Sequence, residues 1–175
     1  MLLGPLAALR AASMRPNVEV VRAVIEAGAD VKAVDKSGRT ALHEALLQHS
    51  VHVVWALLRA GADVMAVDED GRTALHEAVR RHNVDFVRAV IGAGADVNVV
   101  DKDGRTALHV AVWANVDIVR AVIEAGADVN AADNYGVTAL HRAYQRRHAG
   151  MVRLLKGTNA PAAVADGGDQ RRRPR

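Results

Sequence analysis

The sequence predicts an all-α solenoid of stacked antiparallel helix pairs joined by projecting β-turn fingers. Three observations carry that reading. Thr-Ala-Leu-His occurs four times, at Thr40–His43, Thr73–His76, Thr106–His109 and Thr138–His141. Gly-Ala-Asp-Val recurs in step, from Gly28, Gly61, Gly94 and Gly126. Two phrases interleaved at a period of about 33 residues mark units that bury a core only by stacking. The third observation is composition. The 175 residues hold one Phe, two Tyr and two Trp, and half of the chain is hydrophobic. Small Ala, Val and Leu side chains suit thin stacked layers better than one thick core.

Each mark in the unit has a physical job. In Asp68-Glu69-Asp70-Gly71 the Asp side chain can bond backbone two residues on, and Gly accepts positive φ. Thr73 is placed to cap a first helix through its hydroxyl, with a helical stretch to Arg81. Ala78 is small where that helix must approach a neighbour, and His82-Asn83 breaks the run. A second helix follows from Val84 to Ala93. Val84, Val87, Val90 and Ile91 have 3,4 spacing and are expected to form its buried stripe. Gly94 then supplies a left-handed cap, and Ala95-Asp96-Val97-Asn98 leads to the next finger.

These phrases resemble the ankyrin repeat over roughly residues 5–157. The resemblance implies an ankyrin-repeat domain at 1–157, in units of about 1–34, 35–67, 68–100, 101–132 and 133–157, with end units that are degenerate caps. The first unit has Pro5 and Ala7 at the Gly-x-Thr positions, but Leu9 falls where Leu42 falls. It keeps a second helix, Val18–Ala27, with Asn17 as its cap. The last unit starts at Asp133 and fails after Leu155, and residues 158–175 read as a disordered basic tail.

Three departures stand out. Ala41, Ala74, Ala107 and Ala139 take the place of the family's proline after the capping Thr. Gly92 lies inside a second helix where its sisters are Arg59 and Glu124. The unit at 101–132 is one residue short, in the turn between its helices.

Composition and spacing argue against several function classes. The chain has no cysteine for a disulfide or a thiolate metal site. No apolar run approaches the roughly 20 residues of a membrane span. The formal charge is +3, and the excess is concentrated in Arg171, Arg172, Arg173 and Arg175. A mitochondrial presequence would share the apolar Met1–Leu9 and the basic Arg10 and Arg15, but the register of Leu9 favours a first repeat. The expected compartment is the cytoplasm or nucleus. His43, His76, His109 and His141 occur once per unit. Stacked helices lie about 8–10 Å apart, whereas zinc ligands converge to about 2 Å from one ion. In ankyrin proteins this His bonds within and between repeats. Neither a metal, a cofactor nor a catalytic constellation is expected, because the carboxylates recur with the period.

The resemblance implies that fingers and first helices form a concave binding face, with the second helices at the convex back. The finger positions then include the ladder Arg39, Arg72 and Arg105, beside Asp68, Asp70, Asp101 and Asp103, which reads foremost as filler. The first-helix positions include Leu47 and Gln48, Arg80 and Arg81, Trp113, and Arg146. Trp113, ringed by Arg80, Arg81 and Arg146 with Tyr135 on the adjacent finger, combines the residue types that dominate hot spots. Trp55 stands where other second helices carry Arg22, Arg88, Arg120 and Arg153, on the back, and is read as harmless. The expected function is a non-catalytic protein–protein interaction module, an adaptor or inhibitor. Its expected partner is an acidic segment with an apolar anchor, bound by a monomer. The alternative is a binder of nucleic acid or another acidic polymer through the Arg-rich tail and the concave arginines.

Overall fold

The computed structural model describes residues 5–15 and 17–158. The expected basic tail lies outside these residues, apart from Thr158. Ten helices follow in order: α1 (Pro5–Ser13), α2 (Val18–Glu26), α3 (Ala41–Leu47), α4 (Val51–Arg59), α5 (Ala74–Arg80), α6 (Val84–Gly92), α7 (Ala107–Ala111), α8 (Val116–Glu124), α9 (Ala139–Gln145) and α10 (Ala149–Thr158). The odd helices pack one on the next as one layer, and the even helices form a second. Each odd helix also packs on the even helix that follows it. Among the described residues, extended pairing is limited to one isolated bridge between Ala132 and Thr138.

Three of the second helices, α2, α6 and α8, start where an asparagine side chain catches free N–H groups. Asn17 accepts from the Glu19 and Val20 N–H, Asn83 from Asp85 and Phe86, and Asn115 from Ile118. At α3, α5, α7 and α9 the expected Thr cap is joined by a second partner. Thr and the histidine three residues on cap the helix reciprocally. The Nδ1 of His43, His76 and His109 accepts the N–H of Thr40, Thr73 and Thr106 at 3.2, 3.3 and 3.1 Å.

The buried stripe also differs from the expected one. In α6 it is Phe86, Val87, Ala89 and Val90, with Val84 and Ile91 only partly buried. Phe86 shares its register with Val53 and Ile118, and all three are buried between helix pairs. Val20 has the same register but is 46% exposed, because no pair covers that side of α2 among the described residues. Leu9, Leu42, Leu75 and Leu108 are all buried, as the alignment of the first unit requires.

Gly92 ends α6 with open space where a Cβ would lie. A helical glycine costs about 0.5–1 kcal/mol against alanine. Gly92→Ala is therefore expected to stabilise the protein by about that amount, read as a higher urea midpoint. A lower midpoint would mean that the site is not the open helical position described.

The short unit has a clear cause. In three units the chain turns between helices through a left-handed residue, His49 (φ 55°), His82 (φ 57°) or Arg147 (φ 53°). At His49 the bonds from its N–H to the Leu46 carbonyl and from the Ser50 N–H to the Ala45 carbonyl complete a Schellman turn. The unit at 101–132 has lost that left-handed residue. Its α7 stops at Ala111, and Trp113 and Ala114 turn by bonding back to Val110 and Ala111 at 3.0 and 2.9 Å. At the other end, α10 continues three residues past Leu155, where the repeat was expected to fail.

Candidate partner-binding face

The fingers are built from one carboxylate each. Asp35 Oδ1 accepts the Ser37 and Arg39 N–H at 2.8 and 2.9 Å, and Asp68, Asp101 and Asp133 repeat the pattern. Adjacent fingers are bonded to each other. The Glu69, Lys102 and Asn134 N–H groups donate to the Ser37, Asp70 and Asp103 carbonyls at 2.8, 2.9 and 2.9 Å. The approach is close enough to need glycine: a Cβ on Gly38 would lie 2.6 Å from the Val67 carbonyl oxygen.

Histidine ties three of the four fingers to the helix layer before them. Because Nδ1 accepts, the proton of the neutral ring sits on Nε2. It is donated to the carbonyl of Arg72, Arg105 or Val137 by His43, His76 or His109, at 3.4, 3.0 and 3.0 Å. Burial pushes the pKa of all three rings down, against the carbonyls, which favour the charged form. One period earlier the same register holds Arg10, whose guanidinium pairs with Asp35 at 2.7 Å.

Above this frame lies a cleft of about 200 Å³. Arg72 and Arg105 from the fingers, Arg80 from α5 and Trp113 after α7 share it with Asp101 and Arg142. Trp113 is 50% exposed, and the Arg146 guanidinium lies 4.5 Å from its ring centroid. Burial works to raise the pKa of Asp101, but the N–H and guanidinium bonds from Arg105 outweigh it and hold the carboxylate charged.

The structure brings some candidate residues together and not others. Arg72 is tied to Asp70 at 2.7 Å, and Arg105 to Asp101 at 3.0 Å. Arg39 contacts Glu44 at 3.5 Å, and Arg81 Nε donates to the Glu77 carboxylate at 2.7 Å. Arg80 and Arg146 pair with no carboxylate among the described residues, so their charge is available. Tyr135 stands 79% exposed on the fourth finger, that of the fifth unit. Leu47 is half-buried and Gln48 exposed in the second unit. Trp55, 44% exposed, lines a separate groove on the second-helix side with Val18, Arg22, Ile25 and Arg59.

A family model described as ankyrin repeats (3 copies) matches residues 4–68, 57–133 and 91–164. The chain belongs to the ankyrin-repeat family. A search of curated proteins finds no match to it. Ankyrin repeats generally mediate protein–protein interaction, and the family is typically non-catalytic. Among the described residues of this ankyrin array, no three His, Asp or Glu side chains are grouped to hold a metal ion. No described helix is long and apolar enough to cross a membrane.

Two features of the ankyrin surface escaped sequence reasoning. Arg142 occupies the register of Glu44, Glu77 and Val110, while Val137 replaces the finger arginine. Its guanidinium bonds Asp133, doing from the helix what Arg105 does from the finger. Aligning the units by charge was the signal that could have found it. The second feature is a row of exposed valines, Val34, Val67 and Val100, one before each of the finger aspartates Asp35, Asp68 and Asp101. Valine ordinarily reads as core, so composition concealed it.

Proposed function

We propose that this ankyrin array is a non-catalytic adaptor or inhibitor that captures an acidic protein segment bearing an apolar anchor. The observation that supports the reading is Trp113, half exposed against the Arg146 guanidinium and sharing a cleft with Arg80. An indole offers apolar area, and guanidinium groups beside it can hold carboxylates in bidentate fashion. In this reading Arg39, Arg72 and Arg105 chiefly hold the fingers, and Arg81 reaches a ligand by exchanging its bond to Glu77. Leu47, Gln48 and Tyr135 extend the contact along the array. The protein acts as a monomer in the cytoplasm or nucleus, by occupying its partner.

The test is an affinity pull-down beside a Trp113→Ala control, followed by titration of the captured protein. A hot-spot residue costs about 2 kcal/mol on truncation, or about thirtyfold in Kd. The melting temperature should barely change. A loss of several kcal/mol in stability would instead make Trp113 a packing residue of the short turn. Binding that survives Trp113→Ala but is lost on Trp55→Ala would move the site to the back. Capture of nucleic acid, weakening steeply with added salt, would favour the alternative polymer-binding reading.

A further inference from the structure

The exposed valine row carries information about the shape of a ligand. Val34, Val67 and Val100 are 49%, 47% and 52% exposed, one at the end of each of the first three units. Extended backbone alone does not call for them, since Ala132 fills the same position where the one bridge forms. Equivalent residues of equivalent units face the same way, so the three side chains stand in single file.

Their spacing follows from the backbone. Each finger has two arms, and neighbouring fingers are joined by the bonds from Glu69 to Ser37 and from Lys102 to Asp70. Two arm widths of about 4.8 Å give a pitch of about 9.6 Å. A β-strand presents one face every two residues, about 6.8 Å, and drifts out of step at once. A polyproline II segment repeats every three residues, about 9.3 Å, on one face. An α-helix comes back into phase after seven residues, about 10.5 Å, but it is about 10–12 Å wide. The valines are flanked by exposed charged residues, Lys36, Glu69, Asp70 and Lys102, so a helix would press its flanks on charge.

We infer that the finger row docks a peptide segment in polyproline II conformation, with an apolar side chain at every third position. The flanking charges set its polarity: Lys36 and Lys102 stand beside the outer valines and Glu69 beside the central one, while Asp70 is already paired with Arg72. The complementary ligand is acidic at both ends and basic in the middle. Its prolines supply the preset backbone and lower the ordering cost of binding. This inference rests on the finger side being the recognition surface, and not on the Trp113 cluster.

The experiment uses the full chain and a labelled nine-residue probe, Glu-Leu-Pro-Lys-Leu-Pro-Glu-Leu-Pro. One comparison peptide has the same composition with leucine at every second position. Another is a helical peptide with leucine at every seventh. Fluorescence anisotropy is expected to give at least tenfold tighter binding of the first. Val67→Ser combined with Val100→Ser should abolish that preference while leaving the melting temperature unchanged. Equal or tighter binding of either comparison peptide overturns the inference. So does a preference that survives the double serine variant, or no binding of the probe at all. The Trp113 pull-down reads a different residue against a different ligand, so either reading can fail while the other stands.

Discussion

Removing the fifth unit, from Asp133 onward, is expected to lower the melting temperature by about 10 °C or more and to promote association. The cut takes away α9 and α10, which pack on α7 and α8. Met151 and Leu155 are fully buried, and burying such side chains is worth about 1.5–3 kcal/mol each. The cut also orphans polar groups. His109 loses the Val137 carbonyl that takes its Nε2 proton, and the Asp103 carbonyl loses the Asn134 N–H. An array of this kind draws its stability from nearest-neighbour interfaces, so the loss falls on the newly exposed unit. Amide exchange should quicken mainly across α7 and α8. A truncated chain that melts at the wild-type temperature and sediments as a monomer would refute this account of the fifth unit.

The second large effect is acid sensitivity in two steps. His43, His76 and His109 titrate near 6.5 when unfolded and below that when folded. As pH falls below about 6.5, the unfolded chain takes up protons that the folded chain refuses. Stability therefore drops, by up to about 1.4 kcal/mol per pH unit for each histidine. The loss levels off only below the folded values. A further step comes from Asp35, Asp101 and Asp133. Burial works to raise their pKa, but backbone N–H bonds and nearby guanidinium groups hold it below the ordinary 3.8. Their contribution is present above 3.8 and is lost as pH falls past it. Urea midpoints measured between pH 7.5 and 5 should fall steadily, and His76→Gln should flatten the slope by about one third, one of three equivalent groups. A midpoint independent of pH over that range would show that the rings are not held neutral.

Much of the architecture was legible because the period is enforced by packing. Thr73, His76 and Gly94 recur where a cap, an inter-unit bond and a left-handed turn are needed, and any 33-residue comparison finds them. The core was less legible. Phe86, Val53 and Ile118 occupy one register with three different side chains, so no repeated letter marks it. The short turn was visible as a missing residue, but not that the lost residue was the left-handed one, because His and Arg fill that place elsewhere rather than Gly. At the candidate site, Trp113 and Arg146 were named from their register and residue types, and the guanidinium lies over the indole. The exchange of Arg81 with Glu77 was hidden, since a helix surface offers several partners at i±3 and i±4 and sequence does not choose among them.

The tight join between fingers changes where damage is felt. Side chains added at Gly38 or Gly104 would collide not with their own unit but with Val67 or Asn134, where the following finger begins, and one at Gly71 would press tightly on the Lys102 N–H. A variant carrying such a lesion misplaces the neighbour. The surface that stops working then lies one repeat downstream of the altered codon. Complementation would have to restore the seam between two units, and grafting a healthy copy of the mutated unit alone would succeed only if its follower were carried with it.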